Sequence, residues 1–296
     1  MSHFTQVVSS PEGLRPPGNR PLPVWQTVVL TLLVLWLYSS ILGRLILQWW
    51  HDPNFSHGFF VPLFSIYVLW QGRHRLSAIP RNPSWTGVIL LVTGLALLIV
   101  GDLGAELFLS RFSLLLVIAG LVVVFMGWQY QRAILFPWAF LIFMIPIPTL
   151  LFNEITFPLQ LLASKLASGL LPLLGVPVLR EGNVIQIPAM PLEVAEACSG
   201  IRSLLSLATL AIIYGYLLES RQTVRVILAL ASLPIAVVAN SLRIVGTGLV
   251  VQYWDPEKGE GFFHSFSGWL IFVLSLVMLF LLHRCIQLLW REKRTS

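Results

Sequence analysis

The chain has 296 residues, 56% of them hydrophobic and only 11% charged, with a mean hydropathy of +0.82. That is more apolar side chain than a water-soluble core of this size needs, which excludes an ordinary soluble domain and indicates an all-α polytopic membrane protein. The formal charge of +6 does not argue for nucleic acid, because Lys and Arg fall in short clusters between apolar runs, where they set orientation across a bilayer.

Residues 1–23 are rich in Pro, Ser and Gly and read as a flexible cytoplasmic tail rather than a cleaved signal. About eight runs then have the length and apolarity of spanning helices, at roughly 24–47, 58–72, 85–101, 108–127, 133–151, 201–218, 226–250 and 269–289. The second is short and contains Pro62. Residues 24–290 read as one transmembrane catalytic domain, with 291–296 a second cytoplasmic tail.

Arg73, Arg75, Arg81, Arg132, Arg221, Arg225 and Lys293 fall on one side of these runs, and Lys165, Arg180 and Lys258 on the other. The bias predicts both termini inside. On that topology Cys198 and Cys285 lie at opposite faces and cannot form a disulfide.

The insert 152–198 falls outside. Its first part is apolar and bracketed by Pro158 and Pro172, which suggests an interfacial or re-entrant helix. Its second part predicts a β-hairpin turning at Gly182-Asn183. The insert leads directly into Glu196-Ala197-Cys198-Ser199-Gly200-Ile201-Arg202.

Three residues far apart in sequence meet at the outer face on this topology. Cys198 precedes the sixth span, His264 precedes the eighth, and Arg243 lies in the seventh, seven residues before Val250 and so about 10 Å below its outer end. A thiol is nucleophilic as thiolate, favoured by a helix N-terminus and a nearby cation; Ser199-Gly200 fits a helix start, Arg202 lies one turn on, and Glu196 opposes the effect.

An arginine inside a span costs about 2.5–3.5 kcal/mol on insertion scales, so Arg243 either faces a polar partner or snorkels. Asn240 shares its face. His264 has the chemistry of a base toward a thiol and an acid toward an amine. His57 competes for that role and Arg202 for the cation's, while His3, His51, His74 and His283 are assigned none. No His/Cys/Asp/Glu set has metal-ligand spacing and no phosphate-cradling glycine loop appears, so no metal or cofactor is expected.

Glu196 to Leu204, Asn240-Ser241-Leu242-Arg243 and His264 resemble the Cys/Arg/His signature of the exosortase/archaeosortase family, and Asn54 to Leu63 resembles a stretch near the start of bacterial exosortases. The resemblance implies a cysteine protease and transpeptidase of the bacterial inner membrane, with chemistry similar to sortases on an unrelated fold. Cys198, Arg243 and His264 take the catalytic positions by that likeness. It also implies substrates that are exported proteins with a PEP-CTERM-like C-terminal sorting tail, and an envelope glycan or a lipid amine as acceptor. A different class, a transporter or flippase with Arg243, Asn240 and Arg202 lining an anion path, accounts for the intramembrane arginine but leaves the shared face of Cys198 and His264 a coincidence.

Overall fold

The computed structural model describes residues 23–193, 201–254 and 262–295, excepting the side chains of residues 149, 193, 201–203, 262–267 and 290–295. The chain forms two compact units. One comprises the segment up to Leu42 together with Ile66–Ala139; the other comprises Gly43–Ser65 and everything from Phe140 on.

In the first unit, α1 (Val24–Leu37) turns at Tyr38 into α2 (Ser39–His51), with a bend of 66°. No proline causes it. Tyr38 is fully buried, and its hydroxyl lies 2.8 Å from Ser113 Oγ of α6 (Leu107–Phe125), which anchors the corner. After α3 (Phe60–Gln71) and α4 (Arg73–Ser77) comes α5 (Thr86–Leu103), which pairs with α6 as a tight hairpin.

Gly87, Gly94 and Gly101 recur every seven residues along α5 and are all buried against α6. A Cβ at Gly87 would stand 2.6 Å from the Val124 nitrogen, and one at Gly101 2.6 Å from the Ser110 nitrogen. Small residues allow the backbones to approach this closely where lipid gives no hydrophobic drive for helix association.

In the second unit, residues 53–59 form a 3-10 helix. The segment expected as one span at 133–151 is instead broken: α7 (Trp128–Ala133) and nearly all of α8 (Leu135–Phe140) belong to the first unit, and a 3-10 turn at Leu141–Met144 to the second. Ile145 then runs extended into Pro146 and Pro148, which cannot continue a helix.

The next helix, α9 (Thr149–Leu170), differs from the expected bracketed segment: Pro158 lies inside it, and Pro172 opens a short 3-10 turn beyond. By length and composition residues Leu150–Leu174 could cross a membrane. Beyond them the expected hairpin is present, β1 (Leu179–Glu181) antiparallel to β2 (Val184–Gln186), with Gly182 in the turn at φ +65°. A third strand, β3 (Pro191–Glu193), pairs antiparallel with β2.

Three helices complete the unit: α10 (Ile201–Leu218), α11 (Gln222–Tyr253) and α12 (Phe262–Thr295). Two buried clusters organise it. In one, Leu204, Leu207, Val224, Leu228, Ala236 and Leu279 join α10, α11 and α12; in the other, Ala163, Leu171, Ile185, Ile187, Ile244 and Val251 press the sheet onto α9 and the second half of α11.

At the α10–α11 turn, His283 of α12 is 3% exposed. The Tyr214 hydroxyl lies 2.8 Å from its Nδ1, and Glu219 Oε2 3.3 Å from its Nε2. Glu219 also accepts from the Arg221 N–H at 2.9 Å, which, ahead of His283, holds its carboxyl below the ordinary range.

Among the described residues, five helices are long and apolar enough to span a bilayer, or six if the bent α1–α2 pair counts as one. Of the other expected spans, 58–72 forms the shorter α3, whereas 201–218 is the helix α10 (Ile201–Leu218). The fold is that of an all-α polytopic membrane protein carrying a three-stranded sheet.

The glycine stripe makes a testable distinction. Gly101→Ala forces backbone apart and is expected to destabilise the first unit by about 1–3 kcal/mol. Gly169→Ala, where nothing lies within 4 Å, is expected to be neutral or stabilising by up to about 1 kcal/mol. Thermal unfolding of the purified variants in one detergent compares them directly.

Candidate active site

The candidate site is built at one end of the α10–α11–α12 layer. A Cβ on Gly215 of α10 would sit 3.5 Å from the Arg225 Cα of α11, which fixes how these antiparallel neighbours are aligned. Fourteen residues back along α10 and fourteen on along α11, Ile201 comes level with Ala239. The start of α10 therefore lies at the depth of Asn240, within about a turn of Arg243.

The helix α12 reaches the same level from its own N-terminus. The Arg243 guanidinium lies 3.6–3.9 Å from where a Cβ on Gly268 would be. Gly268 is one turn beyond His264 on the same stripe of α12. Only glycine leaves this space without a side chain between the guanidinium and the helix.

Arg243 is half-buried and Asn240 only 2% exposed. Ten residues separate Arg243 from the end of α11 at Tyr253, so it sits about 15 Å from that end, deeper than the sequence suggested. The sheet packs just beyond: a Cβ on Gly248 would meet Leu171 at 3.1 Å and Leu192 of β3 at 3.3 Å, and Gln252 Oε1 accepts from the Ala189 N–H at 3.2 Å.

Glu196 and Cys198 lie outside the described residues, and Arg202 and His264 are described only in their backbone.

His57 belongs to the 53–59 3-10 helix, which packs against α10 and the Leu141–Met144 turn. Asp52 caps this helix by accepting from the Asn54 N–H at 2.9 Å. The Trp49 indole lies directly over Gly58 and donates to the Met144 carbonyl at 2.9 Å, so this segment is pinned. The imidazole is 7% exposed, and its Nδ1 has no hydrogen-bond partner of good geometry. Burial pushes its pKa below 6.5, opposed by the backbone of Phe143 and Asn54.

Sequence reasoning missed two features. Gly268 was unremarkable until Arg243 was seen against it, although its spacing of four from His264 marked the face. The Tyr214–His283–Glu219 cluster was missed because its members lie on two different helices and a turn. No group of His, Cys, Asp or Glu that could hold a metal occurs among the described residues.

This architecture defines a multi-pass helical membrane protein with an intramembrane arginine placed where three helices and a small sheet converge. A family model, transmembrane exosortase (Exosortase_EpsH), matches residues 49–281, and the chain belongs to that family. Comparison with the curated proteins and with the solved structures gave no match.

Because His57 is harder to protonate folded than unfolded, the unfolded chain binds the extra proton as pH falls below about 6.5. Its contribution to stability is present above that pH and lost below it. His57→Gln is expected to flatten the decline in thermal stability between pH 7 and 5, measured in detergent. An unchanged pH profile would show that this imidazole does not contribute.

Proposed function

We propose that the protein is a cysteine peptidase and transpeptidase of the bacterial cytoplasmic membrane. It cleaves PEP-CTERM-like C-terminal sorting tails from exported proteins at the outer face. The observation that carries the reading is the approach of Arg243 to Gly268, one turn from His264, level with the start of the helix that follows Cys198. Both termini are cytoplasmic in this proposal, and residues 24–290 act as one catalytic domain.

The Cys198 thiolate attacks the scissile carbonyl, and the tetrahedral oxyanion is met by the Arg243 guanidinium. His264 protonates the departing amine as the C–N bond breaks, which releases the tail helix and leaves an acyl thioester. Asn240 buttresses the arginine's helix face, and Arg202 offers a second cation. Glu196 disfavours the thiolate until the substrate is bound. An envelope glycan or lipid amine, or water, then attacks the thioester and restores the thiol. The nearby apolar surface favours transfer over hydrolysis by limiting water. No cofactor or metal is required by this route.

Processing of a tailed substrate in cells tests each role. Cys198→Ala is expected to abolish cleavage, and normal processing by that variant would overturn the proposal. Arg243→Ala is expected to slow it by roughly 10²–10³-fold and His264→Ala by 10²–10⁴-fold. An anion transporter would instead retain transport in Cys198→Ser.

Gly268 adds a test specific to this geometry. An added Cβ would be in ordinary contact with Arg243, so Gly268→Ala is expected to keep most of the activity. Gly268→Leu is expected to displace the guanidinium and reduce cleavage at least tenfold, with the protein still inserted and folded by gel filtration.

A further inference from the structure

The first unit carries an open cleft of about 480 Å³, remote in sequence from the proposed catalytic residues. Arg75 of α4 and Arg132 of α7 line it, with Ile79, Pro80 and Ala133 giving it apolar walls. Both arginines are exposed.

The walls are fixed by backbone bonds. The Asn82 N–H donates to the Met126 carbonyl at 3.2 Å and the Ser84 N–H to the Val123 carbonyl at 3.1 Å, so the 78–84 loop is fastened to the end of α6. Gly127 turns the chain into α7 at φ +89°, where a side chain would strike the Asn82 carbonyl. On the same rim the Trp128 indole donates to Thr86 Oγ1 at 2.7 Å.

Charge in this unit is divided between its two ends. Arg73, His74, Arg75, Arg81 and Arg132 gather where α5 begins and α6 ends, whereas Asp102 and Glu106 lie at the α5–α6 turn, about 27 Å away along α5. The described part of the unit has no other carboxylate side chain.

The rim also has the aromatic character of a membrane interface. Trp70, Trp85 and Trp128 are all exposed there, and the Arg73 guanidinium stacks 4.6 Å over the Trp70 ring.

We infer that this cleft binds the phosphate of an anionic phospholipid headgroup. Two guanidinium groups present planar forks of N–H donors to the phosphate oxygens. The apolar walls receive the glycerol and the first acyl carbons, and the tryptophans lie at headgroup depth. The positive end is the one that orientation by Lys and Arg assigns to the cytoplasmic leaflet, where anionic lipids supply the ligand.

Native mass spectrometry of the full-length protein, titrated in detergent with phosphatidylglycerol or phosphatidylcholine, tests the site. Wild type is expected to retain phosphatidylglycerol at a concentration at least tenfold lower than phosphatidylcholine. The double variant R75Q/R132Q is expected to lose that preference, and Ala133→Leu, which fills the wall without touching a charge, to weaken it severalfold. Equal retention of the two lipids, or an undiminished preference in R75Q/R132Q, would overturn the inference. Millimolar inorganic phosphate is expected not to displace the lipid; displacement at equal concentration would assign the cleft to a free anion and overturn the lipid reading.

Discussion

The approach of Arg243 to the bare stretch of α12 at Gly268 is the contact on which the proposed chemistry depends. A guanidinium inside an apolar helix layer needs a polar environment or a route to water, and its long side chain needs room to reach either. The glycine supplies room. The price of that gap is less apolar packing at this level, offset lower down by Leu204, Leu207, Leu228 and Leu279, which knit the same three helices together. The arginine is therefore held by a layer whose cohesion lies elsewhere.

The alignment of α10 with α11 extends this constraint to the start of α10. The connection between them spans only three residues, and Glu219 within it is tied to Arg221 and His283. The turn thus sets the level of Ile201 some fourteen residues away, because two α-helices of equal rise stay aligned once they are in contact. On the other side of the thiol, β3 is fastened to α11 through Leu192 and to β2 through its ladder.

Much of this was legible in the sequence, for identifiable reasons. The spans 85–101 and 108–127 became Thr86–Leu103 and Leu107–Phe125 because uninterrupted apolar runs leave little choice of structure in a bilayer. The hairpin at Gly182-Asn183 followed from turn chemistry, and the third strand was hidden because it pairs through tertiary proximity rather than a tight turn. Prolines were the weak point. Pro158 sits within a continuous helix, whereas Pro146 lies in an extended stretch and Pro148 caps the start of α9, and hydrophobic periodicity treats them alike. The corner at Tyr38 depends on Ser113, seventy-five residues away, and no local signal announces it. For the candidate site, Gly268 became meaningful only through what it leaves empty.

Polar groups in and against the α10–α11–α12 layer are treated differently. At the Glu219 end the imidazole of His283 has partners at both nitrogens, and Arg225 donates to the Glu219 carbonyl at 2.6 Å and to that of Tyr216 at 3.2 Å. A network so fully satisfied rigidifies and specifies one arrangement. Against α10, by contrast, packs a buried histidine whose Nδ1 has no hydrogen-bond partner of good geometry among the described residues, and the buried hydroxyl of Thr209 within α10 has none there either. Leaving such a group unsatisfied costs about 1–3 kcal/mol. The satisfied end holds the helices in alignment.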